Sequence, residues 1–552
     1  MISRILVVGG KGVFGRRLVE GLLATTDVEV IVGGRTVDAN DPLVREWQSR
    51  YGMRRVSVAI VDREAADETL RRLVPFCVVD AAGPFQGGEP RLARAAIAAG
   101  CRYLDLADAR DFVASFAALD ELARKSGVLA VTGASSTPAL SGAALAAMVA
   151  GWAQVDDIEI AISPGNRAPR GRSVIEAILA YVGQPVRLWK DACWTRKPGW
   201  GDLVRREMPG LGRRWLSLCE TPDLDLLPTR YPLARSVTFR AGLELPILHL
   251  GLWFLSLPVR WGLIRSLRPL APFLQRVASW LERFGTDRGG MLVAAQGLNR
   301  DGQAVSAQWS LVAEAGDGPH VPVLPALALI RHWLETPVTQ EGARIASDLV
   351  TLDMIEREFR RFRIRTLRAE SWPCAPSLLG RTLGSDTKHL PALIRRIHGS
   401  QPIRLIGRAS VEAARNPIAR ILARAFGFPR TSSDLPAEVC LKPKGSFEIW
   451  TRRFGQTIFH SKLWSEGQPR CLYERFGPFR FELAIEPCPD GFGLTVTGWH
   501  MGFLSLPLSF APKASALTSV DSQDRYRFDV AITLPLVGPL VRYTGWLMPQ
   551  DT

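Results

Sequence analysis

Four glycines, Gly9, Gly10, Gly12 and Gly15, lie between the apolar run 4–8 and a helix-forming stretch at 16–24. A strand that ends in glycines and turns straight into a helix leaves main-chain N–H groups bare at the helix's positive end. A diphosphate can approach them closely because no Cβ stands in the way. The spacing reads as G-x-x-G from Gly9 or as G-x-G from Gly10, and either reading leaves Gly15 to let helix and strand pack tightly. A second apolar run, 28–32, ends in Gly33-Gly34-Arg35-Thr36. A site selective for NAD places a carboxylate here to hold the ribose 2′-hydroxyl. This chain offers a guanidinium and a hydroxyl, which suit a 2′-phosphate, so the expected cofactor is NADP rather than NAD.

Such a turn works only inside a sheet, and the following sequence supplies one. Apolar runs at 56–61, 76–80, 103–105 and 128–131 alternate with helical patterns at 65–73, 89–99 and 111–125. This alternation predicts an α/β fold, a Rossmann-type doubly wound parallel sheet over residues 1–135, with ligands at the carboxyl ends of the strands. Near residue 136 the pattern changes. The alternating run 155–162, and two runs flanking the turn signal Asn299-Arg-Asp301-Gly302, predict an α+β second domain over 136–370, mostly antiparallel, for substrate binding or dimerisation. A helix near 324–335 is placed to dock back on the first domain. From 390 to 552, an amphipathic helix at 416–426 and short strand-like runs punctuated by Gly, Pro and Asp predict an all-β domain, a sandwich or a closed sheet.

Composition narrows the function. The chain has 552 residues, 47% of them hydrophobic and 22% charged, with a net charge of +15, which describes a globular multidomain protein. The basic stretch 356–368 has no aromatic stacking motif beside it, so nucleic acid is not an expected partner. Eight cysteines are scattered with no C-x-x-C pair and no metal spacing, as in a reducing cytoplasm, and no metal site is expected. The first strand begins at once, without a signal peptide. The segment 245–281 mixes Leu and Trp with Arg. It reads either as a buried or dimer-facing helix pair or as an interfacial helix on an anionic membrane, at the inner face of which the protein would be peripheral.

With these residues in place, the chain resembles the saccharopine dehydrogenase-like family of NADP-binding oxidoreductases. The resemblance rests on the glycine cluster with Gly34-Arg35-Thr36, on Val78-Val-Asp80-Ala-Ala-Gly83-Pro84-Phe85, on Tyr103-Leu-Asp105, and on Asp317-Gly318-Pro319 with Ile330-Arg331. It covers about residues 1–370, and the tail from about 390 resembles an uncharacterised bacterial domain found fused behind this family. The resemblance implies that Gly9, Gly10, Gly12, Val13, Phe14 and Gly15 cradle the pyrophosphate, that Arg35 and Thr36 hold the 2′-phosphate, and that Asp62 accepts from the adenine amino group. It places Gly83 and Pro84 beside the nicotinamide. Tyr103 and Asp105, at a strand's carboxyl end, are the catalytic candidates for the proton that accompanies hydride transfer, with loop structure and ribose contact as their other reading. The lysine and histidine of lysine-forming relatives have no counterpart, so saccharopine is not the expected substrate.

The expectation is therefore NADP-dependent hydride transfer on a small-molecule carbonyl, imine or alcohol, with a homodimer as one possible assembly. The alternative is a nucleotide-binding protein without turnover that binds a membrane or an apolar ligand. Nothing resembles a G-x-S-x-G elbow, a P-loop or a metal-spaced histidine pair, and the seven histidines, isolated in sequence, read as structural.

Overall fold

The computed structural model describes residues 3–550 except 170–171, 301–303, 372–376, 400–401, 415, 426, 430, 445–446, 467, 502–503 and 536. Two compact units divide the chain, Met1–Glu370 and Ser371–Thr552.

The first unit holds two sheets. Six parallel strands, β1 (Arg4–Val8), β2 (Glu29–Gly34), β3 (Val56–Ile60), β4 (Cys77–Asp80), β5 (Arg102–Asp105) and β6 (Leu129–Thr132), stand in the order 3-2-1-4-5-6. Their near-continuous apolar composition follows from burial on both faces: Ile5, Leu6, Val7, Val78, Val79, Leu104 and Val131 are all fully enclosed. The order reverses between β1 and β4, and that switch point opens the crevice where a ligand sits. The helix α1 (Gly15–Thr25) buries Leu18, Val19, Leu22 and Leu23 on the sheet. The helix Leu324–Glu335 packs on α1 so closely that a Cβ at Gly21 would lie 3.1 Å from Leu327. Beyond it, Gly342–Ile345 adds a seventh parallel strand beside β6, which the sequence reading did not place. The helix read over 111–125 is three pieces: Arg110–Ser115, a 3₁₀ turn, and Asp120–Lys125.

The second sheet centres on Gln154–Ser163. Gly289–Leu298 runs antiparallel along one side of it and Ser236–Ala241 runs parallel along the other, so the sheet is mixed rather than wholly antiparallel. Gly289–Leu298 and Ala304–Ala313 form the expected hairpin, although Asp301 and Gly302 of its turn signal lie outside the described residues. The basic stretch enters this architecture through pairs, Arg365 to Glu314 and Arg368 to Glu356, each at 2.9 Å.

The second unit is a closed antiparallel barrel. Ten strands each pair with the next along the chain, and the last, Gly538–Pro549, closes on the first, Ile403–Ala413; the two-residue strand Leu504–Ser505 adds to the outside of the ring. Closure removes the sheet edges that would otherwise invite aggregation. His398 sits inside, with ring centroids 5.4 Å from Trp450, 5.3 Å from Phe492 and 6.0 Å from Tyr526. Burial pulls its pKa down to about 4. Between about 6.5 and 4 the unfolded chain takes a proton that the barrel refuses, so stability is full above pH 6.5 and falls as the pH drops toward 4. In calorimetry of the full chain, His398→Phe is expected to remove on the order of 3 kcal/mol of that loss.

Candidate active site

The turn after β1 is shaped by contacts within the protein before any ligand arrives. Gly9 has φ +79°, and a Cβ there would lie 2.9 Å from Ala82 on the loop after β4. A Cβ on Gly15 would lie 2.1 Å from the Gly9 carbonyl oxygen, and one on Gly10 3.0 Å from Val32. These three glycines are required by packing. Gly12 differs: its N–H donates to Gly9 O at 2.8 Å, and a Cβ there would meet only that oxygen, at 3.1 Å. Phe14 is the N-cap of α1 and supplies no side-chain cap, and the first turn holds no acidic residue. Helix N–H groups that no side chain satisfies form a ready anion site, so the donors fit a diphosphate. Val13 and Phe14 are half-buried in this turn.

Arg35 and Thr36, at the end of β2, are exposed, and no acidic side chain pairs with Arg35 among the described residues. Lys11 reaches the same place, its Nζ 3.3 Å from Thr36 O and 2.7 Å from Asp41 Oδ2. Lys11 lies within the glycine turn itself, yet sequence reasoning passed over it. Asp62 is exposed after β3, where its Oδ1 accepts from the Glu64 N–H at 3.1 Å. The next residue, Arg63, pairs with Asp80 at 3.0 Å, donates to Ala82 O and lies over the Phe85 ring, tying the end of β3 to the loop after β4. That loop carries Gly83 and Pro84, both exposed.

The two catalytic candidates are enclosed. Tyr103 is fully buried against Phe116, with its hydroxyl beside Asp105, and burial raises its pKa. Asp105 is also fully buried and works as a brace: one oxygen accepts from Gly133 N at 2.7 Å, Ala107 N at 3.0 Å and Thr132 Oγ1 at 2.9 Å. It thereby fixes the loops after β5 and β6. Asp80 and Asp105 stand opposite each other on paired strands. Burial pushes their carboxyls up, to about 6 and about 7, against the pull of Arg63 on the first and of hydrogen bonds on the second. The folded unit thus keeps protons that the unfolded chain releases. That stabilisation is complete below about pH 4 and is lost as the pH rises through 6 to 7. The first unit is expected to melt at a lower temperature at pH 8 than at pH 5, and Asp105→Asn to shrink the difference, both read by calorimetry.

The polar groups that water does reach lie one loop further on. Asp108, after β5, accepts from Gln86 Nε2 at 3.3 Å. Asp108 is exposed, and desolvation by the protein near it raises its carboxyl pKa. Tyr181, Cys219 and Glu220 of the second sheet's side face the same space. Burial raises Tyr181 most, with Glu220, Asp108, Cys219 and Asp111 adding to the rise; burial likewise pushes Cys219 up to about 12. Arg110 locks the two sheets together here, forking onto Asp225 and reaching Glu220 at 3.1 Å. These are single polar residues far apart in sequence, and no local spacing marks them.

No group of three metal-binding side chains occurs among the described residues. His249 is buried; its Nδ1 accepts from Leu243 N–H at 3.2 Å, which leaves Nε2–H to donate to Ser217 Oγ at 3.0 Å. It is a structural histidine, pulled down to about 4 by burial.

Residues 5–132 match the family described as saccharopine dehydrogenase NADP binding domain, and residues 390–547 match the domain of unknown function DUF4166. No curated protein matches the chain. Among solved structures, apo histidine-tagged saccharopine dehydrogenase (L-Glu forming) from Saccharomyces cerevisiae is 12% identical with a TM-score of 0.48, over 66% of this chain and 100% of its own. A probable dehydrogenase from Thermotoga maritima is 10% identical with a TM-score of 0.33, over 66% and 98%. A dehydrogenase from Chromobacterium violaceum is 14% identical with a TM-score of 0.29, over 64% and 94%. The chain thus joins an N-terminal segment that matches the saccharopine dehydrogenase NADP binding domain to a C-terminal segment that matches DUF4166.

Proposed function

We propose that this protein is an NADP-dependent oxidoreductase that transfers hydride to or from a small carbonyl, imine or alcohol substrate. The observation that carries the reading is the uncapped start of α1 beneath a bare turn, with the exposed Arg35 and the half-buried Lys11 at the end of β2. When bound, the nicotinamide supplies the hydride. The chain's own part is to hold the diphosphate on the turn at Gly12 to Gly15, to hold the 2′-phosphate with Arg35 and Thr36, and to manage one proton. For that proton Asp108, oriented by Gln86 and facing the Tyr181 side of the space, is a better placed group than Tyr103 or Asp105. Desolvation raises the Asp108 carboxyl pKa, which is the direction a proton donor needs. Asp105 then acts as a positioning residue. Calorimetric titration of the full chain tests the reading: NADPH should bind at least about tenfold more tightly than NADH, a difference of about 1.4 kcal/mol. Absence of NADPH binding at millimolar concentration would overturn it.

A second property is supported by a different surface. The helices Pro246–Arg260 and Ala271–Trp280, with the connection between them, leave Phe254, Trp261, Leu263, Phe273 and Trp280 exposed at 61–72% of their area. Arg265, Arg268, Arg276 and Arg283 surround them, also exposed. No helix among the described residues is long and apolar enough to cross a membrane. We propose that this face lies on an anionic membrane. Flotation with phosphatidylglycerol vesicles, but not with phosphatidylcholine vesicles, is the expected result at low salt.

A further inference from the structure

The barrel of the second unit encloses a cavity of about 400 Å³. That volume lies within the range of small-molecule sites, about 300–1,000 Å³, and far above the water-sized voids of a packed interior. It arises from the strand pattern. Every second residue points inward, so Leu441, Phe454, Phe459, Phe476, Phe492 and Phe528 line the wall. The wall stays hollow because Ala514 and Ala516, on Lys513–Val520, set methyl groups where neighbouring strands set larger side chains. The outward residues of the same strands include charged pairs, such as Arg404–Glu438 at 2.9 Å and Arg542–Asp529 at 2.8 Å.

The lumen's polar groups are few and already engaged. Arg452 donates to Ser461 Oγ at 2.7 Å, lies 3.5 Å from Glu474 Oε1 and stacks on Trp450 at 4.9 Å. Its charge is therefore countered within the wall. His398, kept neutral by burial, fills one end beside Tyr526. The helix Pro417–Ala425 lies across the other end and reaches the cavity with Leu422. An occupant would lie against apolar wall over most of its length. A net charge on it would meet no free counter-charge, at a heavy desolvation cost.

We infer that the barrel is a binding site for an elongated apolar molecule of the lipid class, an acyl or isoprenoid chain whose polar group is uncharged. This does not rest on the nucleotide site, and the full chain can be tested for each separately. The probe is the methyl ester of cis-parinaric acid, whose absorption overlaps tryptophan emission. Saturable binding of one ester per chain is expected, with quenching of tryptophan fluorescence by energy transfer. Ala516→Trp fills the lumen and should weaken binding at least tenfold. Leu517→Trp, one residue along and 53% exposed on the outer face, should leave it unchanged. Ala514→Leu is a milder filling variant should Ala516→Trp not fold, and thermal unfolding checks each protein. Three results would overturn the inference: no saturable binding of the ester, equal weakening by Leu517→Trp, or tighter binding of the free acid than of the ester by tenfold or more.

Discussion

Replacing Arg35 with alanine is expected to raise the Kd for NADPH by about 10- to 100-fold while leaving that for NADH within about threefold. The argument starts from what Arg35 does in the free protein: it is exposed and no acidic side chain claims it among the described residues. Removing it therefore breaks no internal ion pair, and the folded chain should be as stable as before. What is lost is a charge-assisted contact to a dianionic phosphate, worth about 1.5–3 kcal/mol, which NADH with its hydroxyl never makes. Lys11 stays close by but is held by Asp41 at 2.7 Å, so it compensates only in part. Lys11→Ala should accordingly weaken NADPH less than Arg35→Ala does. Arg35→Asp should go further and reverse the preference, because it restores the carboxylate that holds a 2′-hydroxyl. Equal weakening of both cofactors by Arg35→Ala would show that the residue serves the loop or the diphosphate and not the 2′-phosphate.

The sequence showed most where burial is symmetrical. β1 to β6 are covered on both faces, so they read as unbroken apolar runs, and the glycine turn after the first is marked by four small residues at close spacing. Gly342–Ile345 has no such signature. It is a strand because Asp120 accepts the Ala343 N–H at 2.9 Å and because β6 offers a free edge, both decided by contacts across more than two hundred residues. The barrel lies between these cases. Strands such as Ile403–Ala413 and Lys513–Val520 bury one face only and put Arg404, Arg408 or Lys513 on the other, so they carry half the apolar signal and were passed over. The site shows the same division. Gly9 to Gly15, Arg35 and Thr36 belong to one local motif and are legible. Asp108 and Gln86 meet across two loops of the first sheet, and Tyr181 and Cys219 join them only when the second sheet docks.

The glycine turn holds residues required by packing beside one, Gly12, proposed to serve binding, and two substitutions should resolve the two roles. Gly15→Ala would put a methyl group 2.1 Å from the Gly9 carbonyl oxygen, a backbone atom that cannot swing aside. The turn and α1 must part, and the expected cost is about 3 kcal/mol in the unfolding of the first unit, read by urea denaturation of the full chain. Gly12→Ala meets one oxygen at 3.1 Å, a contact relieved by a shift of a few tenths of an ångström, so stability should fall by less than about 1 kcal/mol. The same methyl group, however, stands on the open side of the turn, where a diphosphate must come within hydrogen-bond reach of the main chain. The loss of such bonds is expected to raise the Kd for NADPH about 30-fold or more, and that for NADH equally, because the diphosphate is common to both. This equality sets it apart from Arg35→Ala, which discriminates between the two cofactors. If Gly12→Ala left both affinities unchanged, the bare turn would be a device of packing alone, and the diphosphate would have to be held elsewhere.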